Sequence, residues 1–241
     1  MKKIYIAALL LISTTTSVFA QEATPVPEKP VHFLLSVNGG FGFRTARISQ
    51  DVPQNLRSHF QQLRSGPVIS LEIGAKVSPS TAFTLSYSSL SMGNENFVFT
   101  EQTTIGTPLG PRVVTIINRL STNDRISVIT GNWLSFVPVN DNGTVLFTSK
   151  LGIGAATFRS NNTLQVDQVG STSFIVNGTG LALTGGGGLD FKISKSLFFS
   201  LNAEFTQAKA NVRSNTNSAN NEDAEEGLSN LRLTGGLRLV L

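Results

Sequence analysis

The last fourteen residues, Leu228 to Leu241, run L-S-N-L-R-L-T-G-G-L-R-L-V-L. Leu231, Leu233, Leu237, Leu239 and Leu241 share one parity, while Asn230, Arg232, Thr234, Gly236 and Arg238 share the other. A period of two over this length specifies a β-strand with one apolar and one polar face. The strand is expected to end the protein, with no polar tail after Leu241. An unpaired strand of this kind invites aggregation in water. Closing the sheet into a barrel in lipid removes the edge and gives the apolar face a solvent.

The front of the chain sets the compartment. Lys2 and Lys3, the apolar run Ile4–Ile12 and the small residues of Val18-Phe19-Ala20 form a secretory signal pattern. Cleavage near Ala20 is expected, with residues 21–30 a proline-rich periplasmic lead-in and 31–241 the folded domain. The run Ile4–Ile12 is too short to cross a bilayer of ~30 Å. There is no cysteine, so disulfides, thiolate chemistry and a lipoprotein anchor are excluded. Losing Lys2 and Lys3 lowers the formal charge from +4 to +2, which argues against a nucleic-acid partner.

Seven further alternating segments precede the last one. They centre on Phe33–Arg44, Ile69–Val77, Phe83–Ser88, Ile126–Val139, Val145–Ala155, Leu181–Ile193 and Leu197–Thr206. The segment around Trp133, the only tryptophan, alternates poorly, and its faces are not assigned by parity. Elsewhere the charges inside the strands, Glu72, Lys76, Lys150, Asp190, Lys192, Glu204, Arg232 and Arg238, all fall opposite the apolar row. A Lys or Arg facing lipid at the midplane costs roughly 2–4 kcal/mol, so these charges are expected to line the lumen and to fix the register. Glu204 and Arg232, at similar depth on neighbouring strands, are expected to pair. A soluble lipocalin-like or sandwich β-protein, the alternative, would scatter its charges over the outside.

The connections alternate. Ser78-Pro79-Ser80, Asn140–Gly143 and Ser194-Lys195-Ser196 read as tight turns. Segments 46–65, 93–125, 159–173 and 210–228 read as long and polar. Segment 93–125 contains Phe97-Val98-Phe99 and Val113–Ile117 around Thr107–Pro111. It is expected to be a hairpin above the membrane extending strands three and four, with two extra membrane strands as the alternative.

The signal pattern, the final strand LRLTGGLRLVL and the x-G-x-G strand Lys150–Ala155 resemble the small outer-membrane barrels of the OmpA and OmpX type. The barrel-only "outer membrane protein beta-barrel" group is the nearest. The resemblance implies an all-β fold, a transmembrane antiparallel up-and-down β-barrel of eight strands (ten as the alternative), with no peptidoglycan-binding domain. Many such proteins end in an aromatic residue, whereas this chain ends in Leu241. Some small barrels of this kind modify lipid A through a Ser and a His near the outer rim. By that resemblance Ser58 and His59, with Asp51 as orienter, are the catalytic candidates, although their spacing matches no specific motif.

The remaining features read as structural. Gly185–Gly188 lacks the Lys and Ser/Thr of a phosphate loop. Gly39-Gly40 and Gly235-Gly236 lie where the first and last strands must meet. Glu222, Asp223, Glu225 and Glu226 match no calcium-loop spacing and read as a solvated loop. Phe43, Tyr87, Trp133 and Phe205 fit interfacial girdles.

The sequence thus predicts a monomeric outer-membrane barrel, a non-enzyme without cofactor or metal, with a filled lumen and a structural or surface-interaction role. Its expected partners are outer-membrane lipid, lipopolysaccharide, the barrel assembly machinery and host or surface proteins. A narrow solute channel is the second reading and a lipid A-modifying enzyme the third.

Overall fold

The computed structural model describes residues 31–45, 59, 61, 63–107, 110–166, 170–214 and 224–241. The signal segment, the lead-in, Asp51 and Ser58 lie outside them, as do Glu222 and Asp223. Alternation produces nine strands among the described residues. They are β1 His32–Arg44, β2 Ser65–Ser78, β3 Thr81–Thr107, β4 Gly110–Pro138, β5 Val145–Val166, β6 Gly170–Lys192, β7 Leu197–Ser214, β8 Ala224–Gly227 and β9 Asn230–Val240.

Consecutive strands from β1 to β7 pair antiparallel. β9 pairs with β7 on one side and with β1 on the other, from Leu34↔Val240 to Arg44↔Asn230. The ring therefore closes with eight members. β8 lies on β7 above β9, separated from it by Leu228 and Ser229, and continues the eighth strand. Closure brings Gly39 opposite Gly235. The approach is close: a Cβ on Gly40 would lie 2.1 Å from the Leu233 carbonyl oxygen.

Burial is inverted relative to a protein dissolved in water. Phe33 is 65% exposed, Ile73 58% and Leu181 66%, while Glu72, Asp190, Arg232 and Arg238 are each 4% exposed or less. Hydrocarbon is the solvent that suits such an exterior. The faces of β4 explain its poor alternation. Ile126, Val128, Leu134 and Phe136 turn inward and are buried, whereas Ile129 and Val137 turn outward. Both faces carry apolar side chains, so hydropathy along this strand loses its period.

The tight connections form as expected. At Asn140–Gly143, Asn140 Oδ1 accepts the amides of Thr144 and Val145 at 3.0 and 3.1 Å, and Gly143 has φ of 59°. On the opposite side, β3 and β4 remain paired to Thr107↔Gly110, a two-stranded ribbon that extends them beyond the ring. Segments 159–173 and 210–228, read from sequence as loops, also contain strand. β5 and β6 stay paired to Val166↔Gly170, and β7 runs to Ser214 with β8 beside it. Their outward residues, Ile175 apart, are polar because no hydrocarbon surrounds them. The hydropathy period stops at the edge of the apolar band while the hydrogen-bond ladder does not.

Candidate functional site

The lumen charges form one connected network. Lys150 on β5 places Nζ 3.0 Å from both Glu72 on β2 and Glu204 on β7. Glu204 faces Arg232 in register across β7 and β9, and Arg232 Nη2 lies 3.1 Å from its Oε2. Arg238 Nη2 lies 3.6 Å from Glu72, and its Nη1 pairs with Asp190 on β6. Three acids thus meet three bases, a neutral assembly. Hydroxyls complete it: Thr84 donates to Glu72 at 2.8 Å, Thr148 to Asp190 at 2.6 Å and Ser200 to Asp190 at 2.5 Å. Arg232 donates to Ser88 and, at 2.7 Å, to Thr206. Buried charges persist when every member is paired in this way.

Gly186 makes the central bridge geometrically feasible. It stands in register between Lys150 and Glu204 on the inward face of β6. With no side chain there, Lys150 reaches across one whole strand. A Cβ on Gly186 would meet the Ala203 carbonyl oxygen at 2.5 Å.

Two of the eight candidate lumen charges stand outside the network. Lys76 is half-buried with Nζ 4.9 Å from the Phe136 ring centroid. Lys192 ends β6 and is exposed. The network is capped at both ends by apolar layers. Leu34, Ala82, Leu134 and Phe136 fill the periplasmic side. Val68, Leu90, Met92, Ile126, Val128 and Phe158 belong to the outer layer. A cavity of about 10 Å³ remains among Asn38, Glu72, Lys150, Glu204 and Arg238. That is room for about one water molecule.

Two described residues of the β1–β2 connection, His59 and Leu63, are buried at the outer mouth. His59 is fully buried, lies with its ring tilted 42° and 5.0 Å from that of Phe97, and places Nε2 2.9 Å from Thr122 Oγ1. Burial lowers the pKa of His59. Leu63 packs beside it, 2% exposed, with its amide donating to the His59 carbonyl at 3.3 Å. Ser58 and Asp51 lie outside the described residues, so of the candidate triad the structure describes His59 alone. Arg44 bridges Glu226 and, at 4.0 Å, Asp124. Burial raises the Asp124 pKa, opposed by hydrogen bonding to Ser160 and by Arg44. Glu225 pairs with Lys209 at 3.1 Å. No cluster of three or more metal-ligating side chains occurs among the described residues.

Sequence reading missed the cations on the outside. Arg125 and Arg159 project outward above the apolar band and stand opposite each other across β4 and β5. The signal was the parity of Arg125 with Ile129, hidden because the faces of β4 were unassigned.

No protein-family model and no curated protein matches the sequence. Solved structures do. A major outer membrane protein from Thermus thermophilus aligns with TM-score 0.54 at 9% identity over 88% of this chain and all of that one. Neisserial surface protein A aligns at TM-score 0.42 and 10% identity, covering 88% and 99% of the two chains. Ail, the attachment invasion locus protein of Yersinia pestis, aligns at 0.41 and 13%, covering 87% and 97%. The closed eight-membered ring, the apolar exterior and the Thermus likeness together give this chain the fold of the small bacterial outer-membrane β-barrel proteins.

Proposed function

We propose that the protein is an integral outer-membrane barrel whose role is structural or surface-interactive, with a lumen that does not conduct. The single observation behind this reading is the packed interior of the described residues: a neutral ion-pair network between two apolar layers, with a cavity of about 10 Å³ beside it. A conducting pore needs a continuous aqueous path lined by hydratable groups. Among the described residues two apolar layers interrupt such a lining. The exterior supports membrane insertion, since exposed Phe, Leu and Ile rows encircle the ring. The extended β3–β4 ribbon and the upper parts of β5, β6 and β7 are the surfaces that face outward from the cell.

Two measurements test this. The detergent-purified protein is expected to shift in gel mobility on boiling, as a closed barrel does. In planar bilayers it is expected to give no steady conductance at neutral pH. Stable unitary currents of porin size would refute the sealed lumen. A soluble, heat-unmodifiable product would refute the barrel.

A further inference from the structure

The outer face of the barrel carries a like-charge pair that the lumen does not explain. Arg125 on β4 is directly opposite Arg159 on β5, and both are exposed. Directly opposed like charges weaken an antiparallel pair. Neither arginine belongs to an ion pair among the described residues. Arg159 Nε instead donates to Asn161 Oδ1 at 3.3 Å on the same face. A cationic pair outside the ion-pair network suits an anion as its counter-charge.

Its height suggests which anion. Arg125 lies four residues beyond Ile129, the last large apolar outward residue of β4 within the ring. At ~3.4 Å per residue and a tilt of 35–45°, this is roughly 10 Å above the hydrocarbon edge. Long arginine side chains reach from there into the headgroup layer. Arginine also binds phosphate bidentately.

Below the pair, on the same strands, is an apolar groove of about 650 Å³. Its floor is the outward Gly131, and Phe83, Trp133, Leu151, Ile153 and Leu183 form its walls. Gly131 is six residues from Arg125, about 20 Å along the strand and about 15 Å in depth. Since Arg125 stands roughly 10 Å above the hydrocarbon edge, Gly131 lies about 5 Å below it, in the outer leaflet where acyl chains begin. A cationic pair at headgroup level above a shallow apolar groove matches one molecule with a phosphate at one end and acyl chains at the other.

We propose that Arg125, Arg159 and the Gly131 groove form one binding site for a phosphate-bearing, acylated lipid of the outer leaflet. The phosphate sits between the two guanidinium groups and one acyl chain lies in the groove. This rests on the outer-membrane reading given above, since the face is useful only when lipid surrounds it.

The test is native mass spectrometry of the detergent-solubilised mature barrel, titrated with lipid A and with its enzymatically dephosphorylated form. Wild type is expected to retain the phosphorylated lipid more tightly by about tenfold, the scale of losing charge-assisted hydrogen bonds. R125Q/R159Q is expected to erase that preference while keeping the weaker binding of the dephosphorylated form. A Cβ on Gly131 meets nothing within 4 Å, so G131L should fold and fill the groove. It is expected to weaken both lipids and keep the phosphate preference. Unchanged preference in R125Q/R159Q overturns the proposal. Displacement of the lipid by inositol hexakisphosphate with equal affinity also overturns it, because the site would then take free anions without a chain. The boiling shift of each variant is measured in parallel. A lost shift in wild type condemns the barrel itself, whereas a retained shift with no lipid preference condemns only this site.

Discussion

Lys150 is the residue on which the lumen network depends most, because it bridges two acids at equal distance from opposite sides of the ring. Replacing it with Met leaves three acids against two bases in a buried space. Breaking a buried ion pair by removing one partner costs roughly 3–5 kcal/mol. Lys150→Met is therefore expected to lower the urea midpoint of unfolding, read through the fluorescence of Trp133. Adding Glu204→Gln to it restores neutrality and is expected to recover part of the loss. Full stability of the single variant would show that the network carries no net structural weight. Parity along one strand was enough to place Arg232 and Arg238 on the polar face. It was silent about Lys150 and Glu204 as partners, since their contact skips a strand and depends on Gly186 having no side chain.

At the level of elements, the same limit appears in β4. Its inner face carries Ile126, Val128, Leu134 and Phe136, which plug the barrel, so a reading based on apolar rows had no contrast to use. The turns were legible because Asn140 and Gly143 satisfy a local geometry that needs no distant partner. The inward placement of His59 and Leu63 was not legible, because His59 meets residues far along the chain, Phe97 and Thr122. His59 has its pKa lowered by burial. Its neutral form is therefore the one that fits, and its stabilising contribution is present above the unfolded value near 6.5. That contribution is lost as pH falls through the lowered folded value. Hydrogen exchange at the Leu63 amide, corrected for intrinsic rate, is expected to lose protection as pH is lowered below that unfolded value. Asp124 shifts the opposite way, its raised pKa favouring the fold on acidification, so the control is His59→Gln. That variant is expected to flatten the loss; an unaltered pH profile would assign the effect elsewhere.

For the molecule as a whole, one question is where water gives way to hydrocarbon around the ring, and exposure alone does not answer it. Leu233 is 49% exposed and Val113 is 66% exposed, yet they face different surroundings. Leu233 belongs to the row of β9 that runs through Leu231 and Leu237, whereas Val113 sits on the ribbon past the end of every other strand's apolar row. In lipid an arginine at the midplane costs roughly 2–4 kcal/mol, falling toward zero at the interface. Leu233→Arg is therefore expected to destabilise the barrel in phospholipid vesicles by about that amount. Val113→Arg is expected to change stability by less than about 0.5 kcal/mol, as an ordinary surface substitution does. The contrast is what matters, because both variants add the same charge to similarly exposed positions. Equal, small effects from the two would mean that water bathes both faces, and the inverted burial of this chain would then need a partner protein rather than a bilayer to cover it.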